Sequence, residues 1–222
     1  MAPTAQGTRW VDVPPERIVT WVANFAERHG PVVAEPSPEI VVLRATDGAV
    51  AECHPPFPPL RQPTGTADTP AAQAALMSAH AARDRTVGVL LVRLGGYAAG
   101  VFTGSPARLV ASKTGSRLVH GRSAAGGWSQ QRFARRRDNQ AASALEAATD
   151  TAVAVFGSYQ GQLDAVVLGG DRRAVAQIRT DHRLRPFLAG AVDRFLTVPE
   201  PRLAVLRDTP RLFQAVRIRL TG

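Results

Sequence analysis

The chain has 222 residues, 45% of them apolar, with a formal charge of +9 and a pI near 11.3. That apolar share can bury a sizeable core, in one domain or two modest ones, and excludes a disordered tail. Lys113 is the single lysine, so the positive excess is arginine. The planar guanidinium fork suits phosphate, which makes RNA, DNA or an anionic membrane surface the natural partner class. A genome-wide preference for Ala, Arg, Pro and Gly codons would give the same composition but not the cluster at 132–137. One cysteine, Cys53, cannot form an internal disulfide, and no run approaches the roughly 20 apolar residues of a membrane span. The first ten residues lack a hydrophobic signal core, so a soluble cytoplasmic protein is expected, with no membrane partner.

Along the chain, Pro14 and Pro15 suit a first helical turn, and Ile18, Trp21, Val22 and Phe25 then share one helical face until Gly30-Pro31 stops it. Residues 39–44 and 49–53 read as a hairpin about Thr46-Asp47-Gly48, followed by a Pro-, Gly- and Thr-rich loop over 54–70. Thr69-Pro70 is an N-cap and first-turn pair for a helix of about 14 residues ending near Arg83. These elements make an N-terminal accessory region, 1–83.

A second unit is expected over 84–222. Residues 87–94 and 97–103 form a strand pair about Gly95-Gly96, with 107–112 as a third antiparallel strand. Val87 to Val92 is apolar on both faces, as in a covered central strand. A polar, glycine-rich loop spans 114–129. A helix follows from about Gln130 to Thr149, then strands at 152–156 and 163–168, and a helix after Gly169-Gly170-Asp171. A short strand at 194–198, a helix from Pro199 through Arg207 and a strand at 214–220 complete the reading. The fold class is α+β or mixed α/β, a mixed sheet with helices on both faces.

On a helix at about 100° per residue, Phe133, Ala134, Ala141, Ala144, Leu145 and Ala148 share one side while Arg132, Arg135 and Arg136 share the other. Arg137 projects on the apolar side, where it would snorkel or pair with an acid. Charge runs are commonly solvated faces. Here the preceding loop adds Lys113, Arg117, His120 and Arg122 with almost no acids, so loop and helix start form one positive surface. Gly126-Gly127 alone would pass for an ordinary turn and Gln130 for a capping amide.

The run Gly-Gly-Trp-Ser-Gln-Gln-Arg-Phe-Ala-Arg-Arg-Arg, set after an antiparallel strand pair and before a long helix, resembles the Vms-like release-factor family in its actinobacterial peptidyl-tRNA hydrolase branch. That family is related to the middle domain of eukaryotic and archaeal class I release factors, which present Gly-Gly-Gln on a loop before a long helix. Here the spacing is Gly127-Trp128-Ser129-Gln130, the Gly-x-x-Gln form of the Vms-like branch, and the two inserted residues change how the glutamine leaves the loop. The resemblance implies an RNase H-like fold for 84–222, with the catalytic loop at 120–130. No stop-codon-reading domain is visible, so release is expected to be codon-independent.

The resemblance further implies hydrolysis of the peptidyl-tRNA ester on a stalled ribosome or large subunit, at the peptidyl-transferase centre. Gln130 does not titrate, so its role is to position water by its amide or backbone N–H. Gly126, Gly127 and Ser129 complete the catalytic tip. Arg132, Arg135 and Arg136, with Arg122, Lys113 and His120, would dock it on RNA phosphates, and Trp128 would stack on a base or bury against the helix. Two other readings stay open: cleavage near the tRNA 3′ acceptor end, as associated with relatives, and a noncatalytic RNA- or ribosome-binding module. A monomer without cofactor is expected.

Other constellations are weaker. In Glu52-Cys53-His54 adjacent side chains diverge and no second pair completes a metal site. His29 at a helix end and His182 beside Asp181 read as structural or surface residues. No Gly-x-Ser-x-Gly elbow supports Ser-His-Asp catalysis, and Gly169-Gly170-Asp171 reads as a strand-to-helix turn with an Asp171 cap. The acids show no paired pattern for RNase H-type metal catalysis, so such a fold would be scaffold only.

Overall fold

A computed structural model of the chain describes residues 8–93, 95–116 and 129–222, without the side chains of 129–139. In chain order the elements are β1 (Arg9–Val13), α1 (Ile18–His29), β2 (Val32–Pro36), β3 (Val41–Ala45), β4 (Val50–His54), α2 (Pro70–Ala81), β5 (Val87–Arg93), β6 (Gly96–Thr103), β7 (Arg108–Ser116), α3 (Ser129–Gly157), β8 (Ala165–Gly170), α4 (Arg172–Ile178), α5 (Arg185–Leu188), β9 (Ala191–Leu196), α6 (Leu203–Arg207), α7 (Pro210–Phe213) and β10 (Val216–Thr221). They form two compact units, Met1–Arg83 with Pro210–Gly222, and Asp84–Thr209. The expected second unit of 84–222 is therefore corrected at its end. Residues 210–222 return to the first unit because β10 is hydrogen-bonded between β1 and β4.

The first unit is an antiparallel sheet in the order β1-β10-β4-β3-β2. In β10, Ile218 faces Val11 on one side and Cys53 on the other. Ile18, Val22 and Phe25 recur at helical spacing and are buried from α1, with Trp21 packed beside them. Thr69 caps α2 by accepting from the Ala72 N–H at 3.3 Å, and the helix stops at Ala81, two residues before the expected end. Cys53 lies in this core, where burial pushes its thiol up to about 12. Its neighbours emerge on the opposite face of β4, as strand alternation requires. There the Arg219 guanidinium donates to both Glu52 oxygens, at 2.7 and 2.5 Å, and holds that carboxyl below its usual range.

The second unit carries the order β7-β6-β5-β8-β9. β7, β6 and β5 are antiparallel neighbours, whereas β8 and β9 run parallel to β5. This is an RNase H-like mixed sheet with helices on both faces. From Val87 to Val92, β5 is buried at every residue, as its two-sided apolar run predicts. Leu90, Val92, Ala99 and Val101 face α3 and α4, while α6 brings Leu206 against Gly100 on the opposite face.

Several expectations need correction. Residues 152–156 are not a strand but the last turns of α3, because Ala148, Ala152, Val155 and Phe156 continue the buried helical stripe without a break. The helix expected from Pro199 starts only at Leu203, since Pro199 and Pro201 bias the residues before them toward extended backbone. The third strand runs on to Ser116, and the late strand lies at Ala191–Leu196. β1 and β2 were not anticipated. Both are edge strands, where a proline such as Pro36 is tolerated and the sequence signal is short.

The Gly169-Gly170 turn has a steric explanation. Gly170 has φ +105° and a Cβ there would strike the Val92 carbonyl; a Cβ on Gly169 would stand 2.6 Å from the Leu196 carbonyl oxygen. The pair lets β8 turn between two close strands, after which Asp171 caps α4 by accepting from the Ala174 N–H at 2.9 Å. Gly170→Ala is expected to destabilise the fold by more than about 1 kcal/mol, measurable as a lower midpoint in urea with an unchanged slope.

Candidate functional site

In sequence, the Gly126-Gly127 pair lies between β7 and α3, and Gln130 lies in the first turn of α3. The C-terminal half of α3 is held by a buried stripe of Ala144, Leu145, Ala148, Ala152, Val155 and Phe156. Phe156 meets Phe187 edge-on at 5.8 Å between centroids. It also crowds the strand opposite, since a Cβ on Gly88 would lie a tight 3.2 Å from its ring. A helix of 29 residues spans roughly 43 Å, so this anchoring fixes the direction along which its first turn lies.

Polar contacts add to the anchor. Arg183 donates to Asp150 of α3 at 2.7 Å and to Asp181 through Nε and Nη2, the latter at 2.7 Å. Asp181 also caps the short 3-10 turn His182–Leu184 by accepting from the Arg183 N–H. The Arg183 guanidinium holds the Asp181 carboxyl at about 2, its hydrogen bonds outweighing desolvation. His182 is exposed, 3.8 Å from Asp181.

Before the glycine pair in sequence, β7 is an edge strand whose final residues are polar. Tyr97 of β6 pairs across to Gly115, and a Cβ on Gly115 would overlap the phenol, with Cε2 at 2.8 Å. The ring thus lies across the end of β7 and packs into the core beneath α3. Glycine is required there, one residue before the strand ends.

Lys113 is exposed on β7. It pairs with Ala99 and shares the parity of Ala111 and Gly115, which places it on the face of the sheet that carries α3. Ser129 and Gln130 open the first turn of α3, with Arg132, Arg135 and Arg136 in its next turns, as far as the backbone goes. Their side chains and that of Arg137 lie outside the described residues, as do Arg117, His120, Arg122, Gly126, Gly127 and Trp128. The first four N–H groups of any helix lack intrahelical acceptors, and the helix dipole makes that end positive. The backbone N–H of Gln130 belongs to this set. Tyr97, Gly115, Asp150 and Arg183 escaped sequence reasoning. The Asp181-His182-Arg183 run was the available signal for the last of these, but its partner on α3 is distant in sequence.

The unit is an RNase H-like mixed sheet whose edge strand β7 is followed in sequence by the long helix α3. Residues 85–219 match acVLRF1, the Actinobacteria/chloroflexi VLRF1 release factor family, and the chain belongs to that family. No curated protein matches the chain. Among solved structures, it is similar to an archaeal translation termination factor, aRF1, with 12% identity and a TM-score of 0.43, over 92% of this chain and 63% of that one. It is also similar to the Vms1 mitochondrial localization core, with 10% identity and a TM-score of 0.41, over 97% and 85%. Pelota of Archaeoglobus fulgidus shares 9% identity at a TM-score of 0.28, over 96% and 66%. Among the described residues no helix is long and apolar enough to cross a membrane.

The Asp181–Arg183 contact makes the anchor pH-dependent. Because the folded carboxyl is depressed to about 2 from 3.8, its contribution is fully present above pH 3.8 and is lost as pH falls through about 2. Asp181→Asn, which keeps the capping oxygen, is expected to lower the thermal midpoint at pH 7. The difference from the parent should shrink below pH 3.8 and vanish under about pH 2 in paired melting curves.

Proposed function

We propose that this chain is a codon-independent peptidyl-tRNA hydrolase that frees nascent peptides from stalled ribosomes or large subunits. The observation that carries the reading is the placement of Gln130 in the first turn of α3, directly behind Gly126-Gly127-Trp128-Ser129, in a chain of a release-factor family. The site is approached as a tip: a glycine-rich loop, then an amide and a set of helix N–H groups, then arginines.

Glutamine neither gains nor loses a proton near neutrality, so Gln130 acts by position. Its side-chain amide or its backbone N–H holds a water against the ester carbonyl, while fixed donors stabilise the developing oxyanion. Gly126 and Gly127 let the main chain approach the peptidyl-transferase centre closely, and Ser129 completes the tip beside Gln130. Arg132, Arg135 and Arg136 neutralise RNA phosphates, joined by Arg122, Lys113 and His120. Trp128 supplies a ring for a base. The ribosomal RNA and the tRNA provide the rest of the catalytic surroundings.

The scaffold favours ester hydrolysis over RNase H-style cutting of the tRNA. Metal-assisted phosphodiester cleavage calls for carboxylates grouped on the sheet. The central parallel strands β5 and β8 contain only Val, Gly, Leu, Ala and one terminal arginine. Asp171, just beyond β8, is taken by the α4 cap.

In a purified assay with stalled ribosome complexes, Gln130→Ala is expected to slow peptide release by about 100-fold or more while ribosome binding stays at the parental level. Undiminished release by this variant would overturn the assignment. The tRNA 3′ ends, sequenced from the same reaction, should be intact; shortened ends would replace ester hydrolysis with acceptor-end cleavage. Joint reversal of Arg132, Arg135 and Arg136 to Glu should weaken ribosome binding and reduce the slope of log affinity against log salt by about 3.

A further inference from the structure

We propose that the exposed flank of α4 and α5 is a second RNA-binding surface, one that receives the phosphates of the tRNA whose ester the loop attacks. The proposal rests on the peptidyl-tRNA reading for the identity of the RNA, and on separate residues for the surface itself.

Residues 172–185 contain Arg172, Arg173, Arg179, Arg183 and Arg185 with His182, against the single acid Asp181. That acid is engaged by Arg183, which also reaches Asp150. The charge of the other arginines is not offset. α4 buries Ala174, Val175 and Ile178, which turns Arg172, Arg173 and Arg179 to solvent, and Arg185 is exposed at the start of α5. Among the described residues, the guanidinium groups of Arg173, Arg179 and Arg185 meet no acid. Arg202 and Arg183, by contrast, are paired. The Arg172 guanidinium sits 4.4 Å from the centroid of the Phe195 ring. Unneutralised positive charge on a flank creates a potential that concentrates polyanions.

The topology places the start of this flank at the end of the sheet where β7 stops. β7 and β8 run in the same direction as β5, and their ends share a row: Ser116 pairs with Gly96, Gly96 with Arg93, and Val92 with Gly170. β7 ends at Ser116 and α4 begins two residues after Gly170, so both strand ends lie at one end of the sheet, three strand spacings or about 14 Å apart. From Arg172 to Arg179 the cations then extend about 10 Å along the helix axis. Charge complementarity to a polyanion, on the end of the sheet where β7 also stops, is what matches this flank to the phosphates of a nucleic-acid strand.

An anionic membrane fits less well. Interfacial binding needs apolar side chains beside the cations, and no large exposed hydrophobic of the described residues falls within 172–189.

The test uses the full-length protein and deacylated tRNA, with binding read by fluorescence anisotropy from 50 to 200 mM salt, so that no release step enters. Arg173→Glu/Arg179→Glu/Arg185→Glu is expected to weaken tRNA binding at least about tenfold at the lower salt and to reduce the log–log salt slope by about 3. The matching Gln triple variant should give an intermediate loss, and both should keep the parental melting curve. Parental affinity and slope in a folded triple variant would overturn the proposal. So would selective loss of binding to phosphatidylglycerol vesicles with tRNA binding intact. Failure of Gln130→Ala to impair release would overturn the hydrolase reading alone, because tRNA binding is measured independently.

Discussion

The burial of one stripe of α3 against β5 and β6 fixes the axis of the helix, and the remainder of the candidate site is built on that axis. Ala144, Ala148 and Ala152 let the helix approach the sheet closely, while Leu145, Val155 and Phe156 fill the space beside them. Each large side chain removed from water contributes about 1.5–3 kcal/mol, so the stripe resists tilting far more strongly than the exposed Arg183 contact could on its own. A Cβ on Gly88 would crowd Phe156, so one strand residue and one helix residue specify the same packing. The apolar pattern of the helix thus sets the line on which its first turn lies, many residues upstream.

The division of labour within the second unit is equally physical. The strands give rigidity and supply no titratable group to the sheet centre. Polar function is left to strand ends and helix starts, where backbone donors are unsatisfied and side chains are free to meet a partner. Tyr97 closes the edge strand against Gly115, so the chain leaves the sheet at a defined residue. The glycine pair 169–170 performs the corresponding task for α4.

Much of this was legible in the sequence. The two-sided apolar run of β5, the capped α2 and the stripe at 144–148 carry strong signals because each follows from burial, of both faces in β5 and of one face in the helices. What escaped had local signals that mislead. Thr149-Asp150-Thr151 reads as a break, yet Thr149 and Thr151 are buried within a continuous helix. Pro31 and Pro36 hide β2. The cationic flank of α4 looks like any solvated charge run until the sheet order shows which end it leaves from. The family resemblance rested on 126–137, residues whose contacts no periodicity could supply, and Gln130 was marked by its neighbours in sequence rather than by any pattern of burial.

The placement of β10 between β1 and β4 has a consequence for the order in which the chain acquires its structure. Residues 84–209 are an insertion within the first unit, and the strand that completes the first sheet is made after the entire inserted unit. During synthesis β1, β4 and both early helices emerge without the strand that joins β1 to β4, whereas the inserted unit has all its strands before β10 appears. Domains fold as their segments become available, so the later-encoded unit closes first and the N-terminal unit must wait, open-edged, for the last residues. A cut at any single position therefore cannot yield two intact halves.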